Sequence, residues 1–568
     1  MYKLFLCFRY LTRKGIVAFP ILAVWLCVMM LIIVNSIMTG FVNRVRDAGR
    51  GLMGDVVIES RDMAGFGHYR RLQAKIDALP QVVASTPVIT TYGLLNIPQW
   101  GDNRPVEIVG VDPGSKSRVT DFRQSLFWQY NAPRQTVADL SIGGFPVSQP
   151  ELVARAKVLY ARYLAVERRR KKRLLAMPPI SPKAWFAGIR EHWRVIAHED
   201  FQQAIYKLDR ADRDLQMAMN LPPTATYKNR AELRAALVPS QPTFKPPPQA
   251  VYRYGTAKAE PKNGIIVGVD LGFYTRDRFG HYHRPQVVRF SPVILTVVPV
   301  TLKGTLTSPQ SHRFMIVDDS HTKVFTVDRR TVYAPFKVVQ KMAFMQRQDL
   351  LNGGVRPARC SQIQIRVKDD QNRAAVLAAR HAIAAVVDRF ERVHPQMLMA
   401  SMQVKTWDQM QAEFIHAVDK ERDLITFLLG LMSLVVVLVI FLIFFMIVRD
   451  KTRDIGIIKA IGGSEVGVGS IFVLYGMLIS TAGAVIGLAT GVEFVINDNW
   501  IHDHILWRIF GISIWNRKIY VFSRIPDQVD PHAAATIVVL AIAAGLIGAL
   551  IPAMIAARQD PVEALRYE

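Results

Sequence analysis

Four stretches of the chain, residues 15–43, 424–448, 466–492 and 533–557, carry no Asp, Glu, Lys, Arg or His. Each exceeds the roughly 20 residues that a helix needs to cross about 30 Å of hydrocarbon. A buried helix of a soluble core accounts for one such stretch far better than for four, so the pattern predicts four membrane spans. The first reads as a retained span. Its core, "GIVAFPILAVWLCVMMLIIVNSIMTG", outruns the apolar region of about 7 to 15 residues in a cleaved signal peptide, and no small-x-small site closes it. "LFLC" precedes that core rather than ending it, which argues against a lipoprotein signal at Cys7.

Between the first two spans, residues 44–423 show mixed periodicity. "GDVVIES" (54–60) reads as a strand, and "YRRLQAKIDALPQVVASTPVIT" as a helix ending near Pro80 followed by a second strand. "SQIQIRVKD" (361–369) and "NRAAVLAARHAIAAVVDRF" (372–390) repeat the strand and helix order near the other end. Two such units beside the two membrane connections predict a membrane-proximal lobe built from residues 44–105 and 356–405. A distal lobe would occupy 106–355. The fold class expected is an α-helical membrane protein with four transmembrane helices and a large two-lobed α+β extracytoplasmic domain between helices one and two. The distal part contains "VEIVGVD" (106–112) and "GIIVGVD" (264–270), a weak internal likeness. Neither is a phosphate loop, since both lack GxGxxG and GxxxxGK[ST].

Charge changes the picture in one region. Of the chain's net +25, residues 151–250 hold +10, from 19 Lys/Arg against 9 Asp/Glu, with "ERRRKKR" (167–173) its densest part. This insert reads as helical around that run and again over "EHWRVIAHEDFQQAIYKLDRADRDLQMAMN", with "PSQPTFKPPPQ" as a linker. Its basicity fits a solvated helical surface, or contact with anionic lipid headgroups or an acidic envelope partner. Nucleic acid is not expected as a partner, because a domain outside the membrane rarely meets a chromosome.

Four spans put both chain ends on one side. The N-terminal tail has Lys3, Arg9, Arg13 and Lys14, and the 449–465 segment has Arg449, Lys451, Arg453 and Lys459. The 493–532 loop spreads Arg508, Arg517, Lys518 and Arg524 over more than twice the length of that segment. The bias favours a cytoplasmic tail, a cytoplasmic 449–465 segment and a cytoplasmic 558–568 end, with the large domain outside. Arg44, Arg46 and Asp47, with "VDKERD" (418–423), suit boundary charges of spans one and two. Cys7, Cys27 and Cys360 leave the large domain no internal disulfide, and a domain of this size needs none for its core.

Directly after the second span, "RDKTRDIGIIKAIGG" (449–463) carries six charges and an isoleucine row, Ile455, Ile458 and Ile461. A short helix here would present an apolar strip flanked by charges, either lying flat on the membrane surface or docked into a partner. Gly462 and Gly463 allow a sharp reversal into the third span.

"RDKTRDIGIIKAIGGSEVGVGSIFVLYGMLISTAGAVIGLATG" resembles the signature of the ABC permease family that includes the lipoprotein-releasing LolC and LolE permeases, the macrolide exporter MacB and the cell-division protein FtsX. "ARQDPVEALRYE" (557–568) looks like the family's closing motif, through Asp560, Pro561, Glu563, Ala564, Leu565 and Arg566. "VKTWDQMQAEFIHAVDKERDLI" is similar to the lipoprotein-releasing branch at Thr406, Trp407 and Lys420 or Glu421, and "RKIYVFSRIPDQVDP" at Tyr520 and Pro526. The basic insert departs from the family pattern.

This resemblance implies an ATPase-coupling role for Arg453, Asp454, Ile455, Ile458, Lys459 and Gly462. The partner would be a cytoplasmic ABC ATPase dimer that binds ATP and Mg, whereas this chain has no phosphate loop, HExxH or GxSxG of its own and binds no cofactor. Family members pair with a second permease copy or a related permease, and Gly476, Gly483, Gly487 and Gly491 permit close helix packing. The implied function is a non-enzymatic permease subunit in the inner membrane, with its large domain in the periplasm. It would transmit motion to lipoprotein or other amphiphilic cargo; the alternatives are a MacB-like efflux permease with a periplasmic adaptor and an FtsX-like regulator of a cell-wall hydrolase.

Overall fold

The computed structural model describes residues 18–560 except 61–63, 99–101, 141–143, 177–185, 246–262, 272–274, 277–281, 284–289, 300–306, 323, 350–354, 395–401, 411, 508–524 and 527. Two compact units divide the chain: Met1–Val45 with Glu413–Trp515 and Arg524–Glu568, and Arg46–Ala412 with Asn516–Ser523.

In the first unit, four helices are long and apolar enough to cross a membrane: Ala18–Met53, Lys420–Asp450, Glu465–Ile496 and Pro531–Arg558. Apolar residues surround each helix on all sides, as suits a helix solvated by lipid. Close packing concentrates on the third span. A Cβ on Gly483 would stand 2.8 Å from the Val24 Cβ, one on Gly487 2.8 Å from the Val28 Cβ, and one on Gly491 3.3 Å from the Ile32 Cβ. Glycines four apart on one helix thus receive branched side chains four apart on the other, a ridge seated in a groove. Trp25 Nε1 donates to Thr490 Oγ1 at 2.7 Å along the same seam. The fourth span meets the third about two turns before Gly483, at Gly476, where a Cβ would come within 2.5 Å of the Ala549 Cβ. The glycine series is therefore occupied by this chain's own spans. Pro526 is buried, and its carbonyl oxygen lies 2.7 Å from where a Cβ on Gly40 would stand, while Asn43 Nδ2 donates to Gln528 Oε1 at 2.7 Å. Tyr520 lies outside the described residues.

The second unit is built on nine strands: β1 (Val56–Ser60), β2 (Val82–Ile97), β3 (Asp102–Val111), β4 (Gly264–Gly268), β5 (Pro292–Val297), β6 (Gln310–Ser320), β7 (Thr331–Pro335), β8 (Gln362–Val367) and β9 (Met402–Thr406). Their order is β5-β6-β4-β7-β3-β2-β8-β1-β9, and β5 pairs again with β2. The long β2 serves two assemblies. Residues 82–88 pair antiparallel with β8, which continues to β1 and β9. Residues 93–96 pair with both β3 and β5, so β2, β3, β7, β4, β6 and β5 close into a ring. Gly93 makes the closure feasible: a Cβ there would lie 2.0 Å from the Thr296 carbonyl oxygen. The "GVD" strands β3 and β4 flank β7 on opposite sides, one parallel to it and one antiparallel.

The longer described helices of this unit are α1 (Tyr69–Asp77), α2 (Pro113–Val119), α3 (Ala132–Leu140), α4 (Gln149–Leu175), α5 (Phe186–Met219), α6 (Arg230–Leu237), α7 (Phe336–Met342) and α8 (Arg373–Val393). Tyr69, Leu72 and Ile76 of α1 and Val376, Ala379, Ile383, Val387 and Phe390 of α8 join Ile58, Ile363 and Ile365 of the strands in one core. These positions recur at three- and four-residue spacing along each helix, which puts them on one face. The basic insert is a hairpin of α4 and α5 with a smaller core of its own, including Leu140, Leu152, Ala156, Ala218 and Leu233. Its root is polar and paired: Arg210 forks onto Asp139 with two 2.7 Å bonds, and Thr136 Oγ1 donates to Asp214 at 2.6 Å. Burial raises the Asp214 carboxyl to about 6.

Candidate coupling site

The chain leaves the second span at Asp450 and forms a short helix, Thr452–Ala460. Thr452 Oγ1 donates to the Arg449 carbonyl at 2.8 Å, and Lys451 pairs with Asp454 at 2.6 Å, closing the first turn. Ile455 is 2% exposed and belongs to a cluster with Val448, Val468, Phe472, Ala553 and Ala556, against which Ile458 packs partly buried. Ile461, by contrast, is 83% exposed, and Ile457 is 44% exposed. The isoleucine row predicted from the sequence thus splits. A spacing of three falls about 60° short of a full helical turn at each step, so Ile455 and Ile461 diverge by about 120°. Ile457 and Ile461, four apart, stay within about 40° of each other and form the outward apolar face.

Lys459 fixes this helix to the bundle. Its Nζ donates to the carbonyls of Ala557 and Gln559 at 2.8 and 2.7 Å, at the C-terminus of the fourth span, and stands 3.8 Å from Glu465. A cation there meets the partial negative charge of exposed helix carbonyls. Gln559 Nε2 in turn donates to Thr452 Oγ1 at 3.2 Å. Gly462 turns the chain with φ +103°, a left-handed conformation that favours glycine, and Ser464 caps the third span by accepting from Gly467 N at 3.1 Å. Arg453 is exposed and Asp454 is half-buried. Asp560 is exposed at the end of the described chain; Pro561, Glu563, Ala564, Leu565 and Arg566 lie outside the described residues.

A second polar assembly, in the large unit, holds the last turns of the helix Ala18–Met53 and was not foreseen from the sequence. Lys116 on α2 is buried, and its Nζ donates to the Leu52 carbonyl at 2.9 Å and to Gln364 Oε1. Burial lowers its ammonium pKa to about 7. Arg50 bridges Asp370 at 3.2 Å and Asp55 at 3.5 Å. Trp407, one of the residues that carry the family likeness, packs over Gly49, and its backbone N–H donates to the Asp55 carbonyl at 3.2 Å. Thr406 beside it is buried. The one signal for Lys116 was its place three residues before Val119, on the inward face of a helix capped by Asp112.

Residues 426–561 match the family model described as FtsX-like permease C-terminal, a segment holding the short helix and nearly all of spans two to four. This segment is therefore an FtsX-like permease C-terminal domain. The chain is similar to the lipoprotein-releasing system transmembrane protein LolC of Neisseria meningitidis, 24% identical over 276 residues, which cover 48% of this chain and 60% of that protein. It is 30% identical over 168 residues to the LolC of Xylella fastidiosa, covering 29% of this chain and 40% of the relative. It also resembles the macrolide export ATP-binding/permease protein MacB of Nitrosomonas europaea, 30% identical over 151 residues, 26% of this chain and 20% of that protein. The chain spans 60% or less of the length of these relatives. Its relatives thus include LolC, LolE and MacB proteins.

Proposed function

We propose that this chain is the membrane subunit of an ATP-driven, lipoprotein-releasing system, working by transmitted motion rather than by passing cargo through the bilayer. The observation that carries the reading is the helix Thr452–Ala460, tied to the fourth span through Lys459 and offering Ile457 and Ile461 outward. A cytoplasmic ABC ATPase dimer, which would bind ATP and Mg, docks on that face; this chain binds neither. Because Ile455 and Lys459 join the helix to the bundle, a displacement of the helix is delivered to the spans. The large domain, lying in the periplasm of an inner-membrane protein, then acts on lipidated cargo, with a second permease copy or a related permease beside it. Relatives named as lipoprotein-releasing proteins support this cargo class.

Reconstitution with a candidate partner ABC ATPase tests the reading. Vesicles loaded with a lipoprotein should release it on addition of ATP and retain it with a non-hydrolysable analogue. Retention in both cases would overturn lipoprotein release. The MacB relative supports a second reading, efflux of small amphiphiles. Dependence of export on a periplasmic adaptor, without lipoprotein release, would favour it.

A further inference from the structure

We propose that the outer half of α4 is a binding surface for an anionic phospholipid bilayer. The helix has 27 residues, an axial length of about 40 Å. Its buried side chains, Gln149, Leu152 and Ala156, all lie near its start. Six consecutive cations follow at positions 168–173, and Arg168, Arg169, Lys171, Lys172 and Arg173 are exposed. Arg170 alone among them has a described acidic neighbour, donating to the Asp200 carbonyl at 2.6 Å with the carboxylate at 3.9 Å. The antiparallel partner α5 does not offset the charge: it holds five Lys/Arg and six Asp/Glu, whereas α4 holds nine Lys/Arg and two Glu.

A helix C-terminus welcomes a cation or two near its carbonyls. It gains nothing from six, because like charges three and four apart repel, as Arg168 with Lys171 and Lys172 and Arg169 with Lys172 and Arg173 do here. The charge cluster is thus unfavourable in the isolated chain, and an anionic partner relieves it. Geometry selects the partner. Arg170 faces α5, and at about 100° per residue the five exposed cations spread over an arc of about 200°, too strongly curved for the flat face of a folded acidic protein to read at once. Headgroup phosphates of a fluid leaflet can follow such an arc. Leu175, 75% exposed where α4 ends, supplies an apolar contact below the headgroups, and long Arg and Lys stems let their charged ends stay at phosphate level. This surface stands independently of the transport reading.

The full chain, held in zwitterionic nanodiscs, is mixed with vesicles of phosphatidylglycerol and phosphatidylcholine or of phosphatidylcholine alone, and floated. Anionic vesicles should capture at least about tenfold more protein than neutral ones, and the excess should vanish at high salt. Joint Arg168→Gln, Arg169→Gln, Lys171→Gln, Lys172→Gln and Arg173→Gln should reduce capture to the neutral level. Equal capture by both vesicle types, or undiminished capture of the variant, would overturn the proposal. So would binding of soluble polyphosphate without vesicle capture, which would assign the cluster to a dissolved polyanion.

Discussion

Lys116 carries its amine in a buried place, held by a helix carbonyl and a glutamine amide oxygen. Its depressed pKa sets the sign of a pH effect. Between about 7 and 10.5 the folded protein has released a proton that the unfolded chain still holds, so stability rises with pH across that window and is level on either side. The rise is on the order of a few kcal/mol at most. Thermal unfolding of the full chain in detergent at stepped pH should show it, and Lys116→Met should remove the slope. The variant also leaves the Leu52 carbonyl without this donor, which lowers stability by a pH-independent amount and leaves the slope as the diagnostic. An unchanged slope in Lys116→Met would assign the titration elsewhere. This residue shows where sequence reasoning stopped. A lysine is normally read as outward-facing, and only the packing of α2 against the end of Ala18–Met53 buries it.

At the scale of elements, the spans and the strands at both ends of the large domain were legible because each has a local pattern of its own: long apolar runs for the spans, a short apolar run for β1 and alternation for β8. The ring was not legible. Its closure depends on Ile294 meeting Asn96, nearly two hundred residues apart in the chain, and local pattern says nothing about such a pairing. The glycine series was visible, but its partner was not: the grooves receive Val24 and Val28 of the same chain. Gly487→Ala should therefore overpack the seam at a cost of about 1 to 3 kcal/mol and lower the melting temperature in detergent. Gly430→Ala is the matched control. A Cβ there meets nothing within 4 Å, so the melting temperature should hold or rise slightly. Equal effects from both substitutions would contradict the packing described for the third span.

For the whole molecule, the proposed function places the energy input at one small surface. The sequence motif marked residues 449–463 as special, and the fold divides their labour: Ile455 and Lys459 hold the helix to the spans, while Ile457 and Ile461 face outward. A charge placed at Ile455 would damage the bundle itself and report little about a partner. Ile461→Asp changes an exposed side chain, so membrane insertion and melting temperature should match the parent. If the ATPase seats on that face, the new carboxylate is buried without a partner on docking, at a cost of about 1 to 3 kcal/mol or more. The decisive measurement is co-purification of the ATPase with the Ile461→Asp protein, followed by cargo-stimulated ATP hydrolysis. The proposed function predicts a loss of at least about tenfold in ATPase recovery or in stimulation, from a protein that is otherwise folded and inserted. Parental recovery together with parental stimulation would contradict it, and would leave the helix Thr452–Ala460 as an interfacial segment without a role in coupling.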